Sequence, residues 1–158
     1  MQKIKEAAEE FLAHKRVAVT GVSREAKDHG ANFVFNRMRE RGYDVFPVNP
    51  NADEVEGAAS YPDLRSIPGG VEAVVIGTAP ERADATIREC ADLGINYVWM
   101  HRGPGPGSVS TEAAEFGRRH DIHVIDGGCP CMYGPTADPG HKVMCACLKL
   151  TGNVPRRV

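Results

Sequence analysis

The chain has 158 residues, 42% of them hydrophobic and 25% charged, with a formal net charge of −2. That length and balance suit one soluble globular domain with a real core and exclude a disordered chain. A near-neutral charge supplies no basic field for nucleic acid or an anionic membrane, and no apolar run approaches the roughly 20 residues a spanning helix needs.

Ile4, Ala7, Ala8, Phe11 and Leu12 recur at helical spacing, which predicts an amphipathic lead-in helix over 2–14, ahead of a domain covering 16–158. The acidic, amphipathic N-terminus is unlike a signal peptide, so the expected compartment is the cytoplasm, with reduced thiols. Residues 16–21 read as a first strand. A helix follows over 32–41, with Phe33, Val34 and Met38 on its buried face and Gly42 as its stop. Residues 43–48 form a second strand, and Asn49-Pro50-Asn51-Ala52-Asp53 breaks the pattern as a loop. The stretch to Gly70 reads as irregular.

The run Val71-Glu-Ala-Val-Val-Ile-Gly77 is the next strand. Pro80 opens a helix that Gly94 closes. Residues 95–100 are another strand, followed by the long Gly/Pro loop from His101 to Gly107, a helix over 110–120, a last strand over 123–126, and a C-terminal helix to about Leu150. Near-continuous apolar strands alternating with helices predict a parallel sheet buried on both faces. The expected fold is a Rossmann-like, doubly wound α/β domain: a mainly parallel sheet in a three-layer α/β/α arrangement.

In such a sheet ligands bind outside the carboxyl ends of the strands. Those ends carry Gly21-Val22-Ser23-Arg24, Val48-Asn49-Pro50-Asn51, Gly77-Thr78-Ala79-Pro80, His101-Arg102-Gly103 and Asp126-Gly127-Gly128-Cys129-Pro130. Small residues let backbone amides approach a phosphate, and Arg24 and Lys27 offer charge to pair with one. The chain has neither the dinucleotide Gly-x-Gly-x-x-Gly nor a Gly-Lys-Ser/Thr loop. An NAD(P)-binding domain also needs an acid after the second strand, where Asn49 stands, so that alternative is disfavoured.

Val-Thr-Gly-Val-Ser at 19–23, Val-Phe-Pro-Val-Asn-Pro-Asn at 45–51, Tyr-Val-Trp-Met-His at 97–101 and Gly-Cys-Pro at 128–130 together resemble the stand-alone CoA-binding domains. These are relatives of the N-terminal domain of the succinyl-CoA synthetase α subunit. The resemblance runs from Arg16 onward. It implies a domain that holds the ADP portion of coenzyme A or an acyl-CoA. Gly21, Val22 and Ser23 would carry the phosphate-side loop, and Asn49, Pro50 and Asn51 would border the nucleotide. Thr78, Ala79 and Pro80 would flank adenine, and His101, Arg102 and Gly103 would lie toward the pantetheine arm. The ligand class implied is a small nucleotide thioester or thiol. Binding is carried over and thioester-forming catalysis is not, and a protein partner is left open.

The resemblance does not explain Cys129-Pro-Cys131 and Cys145-Ala-Cys147, which hold four of the five cysteines. His141 and Cys145 share a helix face at i, i+4, and a thiolate with an imidazole suits a soft metal. Cys-x-Cys is tighter than the usual zinc spacing, and Cys145 and Cys147 leave a helix in different directions, so no metal is expected. The simplest reading makes these thiols, and Cys90, small buried hydrophobes. Trp99 and Met100 read as core. His101, directly after a strand, is the histidine expected to line a ligand, and His141 reads as a polar loop contact. In sequence order no nucleophile–base–acid set stands out, so an enzyme is not expected. The alternative is thiol-redox or CoA-dependent chemistry at Cys129 and Cys131.

Overall fold

The computed structural model describes residues 1–25 and 30–158; Lys27 lies outside the described residues. The lead-in helix α1 (Ile4–Ala13) buries the five residues that its spacing singles out. Strand β1 (Arg16–Thr20) follows, then α2 (Gly30–Glu40) and β2 (Asp44–Val48). A small antiparallel pair, β3 (Glu54–Val55) and β4 (Ala58–Ala59), precedes β5 (Ala73–Ile76). The chain continues through α3 (Pro80–Leu93), β6 (Tyr97–Met100), α4 (Thr111–Arg119) and β7 (His123–Asp126). Two short 3-10 turns, Pro130–Met132 and Gly134–Thr136, lead into α5 (Pro139–Thr151).

The main sheet is parallel throughout, in the order β2-β1-β5-β6-β7. Alternate residues of the central strands enter two cores. Val17, Val19, Ala73, Val75, Trp99 and Ile125 face α1, α2 and α5. Ala18, Val74, Ile76, Val98, Met100 and Val124 face α3 and α4. This is the expected doubly wound, three-layer α/β fold. Phe11 of α1 meets Trp99 edge to face at 5.4 Å, which seats α1 on the sheet.

Three expectations shift. Helix α2 starts at Gly30, and its buried face is Ala31, Asn32, Val34, Phe35 and Met38. Phe33, expected inside, is 41% exposed because Phe35 takes the position facing the core. The last main strand before α3 begins at Ala73, since Val71 and Glu72 serve its entry: the Glu72 carboxylate accepts from the amides of Lys15 and Arg16 at 2.9 and 3.2 Å. The stretch read as irregular contains the β3–β4 hairpin. Its turn puts Glu56 and Gly57 at φ of 50° and 71°, the left-handed pair that a tight two-residue hairpin requires.

Strand order reverses between β1 and β5. The chain leaves β1 toward β2 and then returns across it to β5. The carboxyl ends of β1 and β5 therefore form the switch point at which such sheets bind ligands. Gly21 sits there at φ 81°, and a side chain on it would come within 2.5 Å of the Gly77 carbonyl oxygen. Only glycine suits both that backbone angle and that approach. Among the described residues, no helix is long and apolar enough to cross a membrane.

Candidate functional site

The loop after β1 is pinned from two sides. The Gly21 amide donates to the Val48 carbonyl at 3.2 Å, and the Asn49 side-chain amide donates to the Val22 carbonyl at 2.9 Å. From α2, the Asn32 carbonyl oxygen accepts from the Ser23 amide, and its amide nitrogen donates to the Ser23 carbonyl and to Glu56 Oε1, all at 2.8 Å. Asn32 is 2% exposed, so these bonds satisfy a polar group that would be costly to bury alone. The bond from Asn32 also holds the Glu56 carboxyl below its usual range. Ser23 Oγ accepts from the Glu25 amide at 3.1 Å. Asn49 Oδ1 accepts from the Asn51 amide at 2.8 Å, closing a tight turn through Pro50.

Two of the three backbone amides expected to meet a phosphate, those of Gly21 and Ser23, thus already have acceptors inside the protein. The sequence reading missed Asn32, whose buried side chain shapes this loop. A polar residue on the apolar face of a helical pattern, opposite Gly-x-Ser, was the available signal. Arg24 is exposed at the rim.

At the neighbouring strand ends two buried polar atoms have no hydrogen-bond partner among the described residues: Thr78 Oγ1 after β5 and Arg102 Nε after β6. Buried polar groups are normally satisfied, so such orphans mark places where a further partner fits. Ala79, exposed, precedes Pro80 at the first turn of α3. The Arg102 amide donates to the Gly128 carbonyl at 2.8 Å, which ties the β6 loop to the β7 loop. Gly103 has open space around it. The His101 ring lies against the start of α2, where a side chain on Gly30 would meet His101 Cε1 at 2.7 Å.

The β7 loop then brings together groups that lie far apart in the chain. The Trp99 indole N–H donates to the Gly127 carbonyl at 2.9 Å and anchors the loop. Cys129, 2% exposed, lies among Cys131, His101 and His141. The neighbouring Cys131 foremost, then His101 and His141, holds the Cys129 thiol well below its usual range against the opposing effect of burial. The neighbouring Cys129 foremost, then burial, pushes the Cys131 thiol upward. The neighbouring Cys129 foremost, with Asp138 adding to it, raises His141 above the ordinary imidazole value.

Asp138 caps α5 and orients His141 at the same time. Its Oδ1 accepts from the His141 amide at 2.8 Å, and its Oδ2 lies 2.7 Å from His141 Nδ1 and accepts from Arg37 at 3.0 Å. Phe33, the aromatic left outside the core, stacks on the His141 ring at 4.8 Å. The helix directions expected for the tail cysteines hold: Cys145 is buried beside the Tyr133 hydroxyl at 3.5 Å, and Cys147 is exposed. Burial foremost, with the Glu89 charge adding to it, pushes Cys90 to about 12, as suits a core thiol. Among the described residues, no cluster of three histidine, cysteine or carboxylate side chains has the arrangement of a metal site.

A groove of about 720 Å3 lies elsewhere, between α1, β7 and the C-terminal residues, lined by Phe11, Tyr97, Arg118, His123 and Val158 among others. None of the expected binding residues lines it. Chemistry at the strand ends, rather than the size of that groove, marks the candidate site.

A family model described as CoA binding domain matches residues 15–135. The chain is 29% identical over 119 residues to the ADP-forming acetate–CoA ligase II of Archaeoglobus fulgidus, covering 70% of this chain and 18% of that protein. It is 28% identical over 117 residues to the α subunit of the ADP-forming acetate–CoA ligase II of Pyrococcus furiosus, covering 73% of this chain and 24% of that one. The chain therefore spans a quarter or less of either ligase. Among solved structures, a hypothetical protein from Pyrococcus horikoshii OT3 superposes with a TM-score of 0.69 at 27% identity, over 78% of this chain and 87% of that one.

Proposed function

The chain belongs to the family of CoA-binding domains, and from that premise we propose that it binds coenzyme A or an acyl-CoA along the carboxyl edge of its sheet. The nucleotide lies over the switch point between β1 and β5, bordered by Gly21-Val22-Ser23 and Asn49-Pro50-Asn51 on one side and Thr78-Ala79-Pro80 on the other. Arg24, with Lys27 beyond it in sequence, faces the phosphates from the rim. The pantetheine arm runs along His101-Arg102-Gly103 toward the β7 loop. The observation that carries this reading is the pair of buried atoms without a partner among the described residues, Thr78 Oγ1 and Arg102 Nε, at adjacent strand ends. A ligand with hydroxyl, phosphate and amide acceptors along its length supplies what both lack. With its Gly21 and Ser23 amides occupied internally, the β1 loop acts as a preformed wall, and phosphate charge falls to arginine and lysine.

Isothermal titration with CoA, NAD and ATP tests the reading. CoA binds most tightly, because Asn49 replaces the acid that NAD needs and no Walker lysine is present for ATP. NAD binding as tight as CoA binding refutes it.

A further inference from the structure

The main sheet has two edges, and the chain treats them differently. At β2 the backbone of Tyr61 lies alongside: its amide donates to the Pro47 carbonyl at 3.0 Å, and its carbonyl accepts from the Asn49 amide at 2.9 Å. At β7, among the described residues, no segment pairs with the outer side. The amides of His123 and Gly127 donate to the Asn96 and Met100 carbonyls at 2.8 and 3.1 Å. By the alternation of a parallel ladder, the backbone groups of Val124 and Asp126 therefore point away from the sheet. Of those four groups, the Val124 carbonyl alone has a partner among the described residues, Arg118 Nη2 at 3.3 Å. The groove of about 720 Å3 runs along this edge and reaches from Asp121 to Arg157. Asp121 lies in the turn before β7, at the amino end. Arg157 lies toward the carboxyl end, where the Gly128 amide meets the Asn153 carbonyl at 3.2 Å and the tail then bridges to Lys3. Both are exposed, and among the described residues neither forms an ion pair. The other charged side chains lining the groove are matched: Arg118 with Asp126 at 3.0 Å, and Glu10 with Gln2 at 2.7 Å.

We propose that a second copy of this chain docks on the β7 edge, strand against strand, and joins the two five-stranded sheets into one across a twofold axis. Antiparallel pairing sets Val124 opposite Asp126 of the second copy, with Ile125 opposite its own equivalent. Each Val124–Asp126 pair exchanges both of its backbone bonds, so four bonds satisfy the outward groups of both copies. Arg118 gives up the Val124 carbonyl, a contact already at the long end of hydrogen-bond distances, and keeps Asp126. Charge selects a second copy over a strand of another kind. Antiparallel pairing reverses one groove against the other, so Arg157 of each copy comes to the end that carries Asp121 of its mate. A parallel approach would set like charge against like. The axis is normal to the sheet, so α1 meets α1 and α4 meets α4 across the join. An open strand edge is a template for pairing, and closing it in a dimer removes the risk of open-ended association. The inference is independent of the CoA-binding reading, which uses the carboxyl end of the sheet and not this edge.

The test is sedimentation velocity of the full chain from about 5 to about 500 μM, since a dimer's stability depends on protomer concentration, with amide exchange followed by NMR over the same range. The expected result is a species of twice the chain mass that grows with concentration. Exchange at the Val124 and Asp126 amides slows in step with it. The His123 and Gly127 amides, already bonded to Asn96 and Met100, exchange slowly at every concentration. Arg157→Glu, an exposed change in the tail, sets acid against Asp121 twice in a twofold dimer. It weakens the dimer by at least about tenfold while circular dichroism stays native. Asp126→Pro removes one outward donor from each copy, and so two of the four bonds, at an edge position where proline is tolerated. It abolishes the dimer. Should that variant not fold, Arg157→Glu and the exchange pattern decide the matter. A monomer across the whole range overturns the proposal. So does a dimer whose slowed amides lie outside β7, or one that Arg157→Glu leaves equally tight. Slow exchange at Val124 and Asp126 that does not change with concentration also overturns it, because the chain's own residues would then be covering the edge.

Discussion

The two halves of the sheet's carboxyl edge are held together by different physics. Around β2, β1 and β5 the loops are braced by neutral amide hydrogen bonds: Asn32 grips both sides of the Ser23 peptide, and Asn49 grips Val22. Around β6 and β7 neutral bonds from Trp99 and Arg102 are joined by groups that titrate: Cys129, Cys131, His141 and Asp138. Neutral hydrogen bonds keep their strength across the pH range in which proteins fold. A chain of ionisable groups changes with every proton it gains or loses. The first half is suited to holding a ligand in one shape, and the second to changing state when a ligand arrives.

Gly21→Ala is expected to break the neutral half most severely. The new Cβ meets the Gly77 carbonyl at 2.5 Å, on a backbone angle that alanine resists. Overpacking and left-handed strain together cost about 3–4 kcal/mol, read as a lowered urea midpoint. A midpoint within experimental error of the wild type would show that the switch point yields far more than its geometry implies.

Ser23→Trp tests the same half as a binding wall. The indole fills the space against which the nucleotide lies. CoA affinity falls at least about a hundredfold, near 2.7 kcal/mol, while circular dichroism stays native. Unchanged affinity in a folded variant would move the nucleotide elsewhere.

Asn32→Ala removes the clamp without adding bulk. It strips partners from the Ser23 amide and carbonyl, at a cost of about 2 kcal/mol. For a chain of this size that lowers Tm by roughly 4–8 °C, measurable by calorimetry. The loss is expected to be the same at pH 6 and pH 8, because Ser23 contributes only backbone groups and Glu56, whose carboxyl Asn32 holds low, is ionised at both.

His141→Gln probes the titrating half and has the smallest effect on stability. His141 is raised in the folded protein, so its contribution is fully present below the unfolded value near 6.5 and is lost as pH rises through the folded value. The stability difference between wild type and variant is expected to shrink with rising pH and to stay below ~1 kcal/mol after solvent screening. A difference that is flat with pH would erase the contrast between the halves.

Much of the architecture is legible in residue order. Val17–Val19, Val74–Ile76 and Val98–Met100 read as buried parallel strands because burial on both faces makes a strand apolar throughout. Pro80 and Gly94 bound α3 because proline suits a first turn and Gly94 takes the left-handed cap at φ 71°. The strand-end residues follow from the same alternation, since a parallel sheet puts every carboxyl end on one edge. What stays hidden depends on contacts between distant segments. Helical spacing alone does not decide between Phe33 and Phe35, and the choice falls to the angle at which α2 meets the sheet. Glu56-Gly57 turns a hairpin only because β3 and β4 pair.

The group at Cys129 is the clearest case. His141 reads as a polar loop contact, and Cys129-Pro-Cys131 as two small hydrophobes. Their placement is a matter of packing: α5 begins just beyond the β7 loop, and one aspartate caps that helix, pairs with Arg37 and holds the His141 imidazole. Local pattern determines which segments are strands and helices, because burial periodicity is a property of neighbours in the chain. Which side chains share a proton is decided by packing, because hydrogen bonds act over about 3 Å of space and take no account of sequence distance.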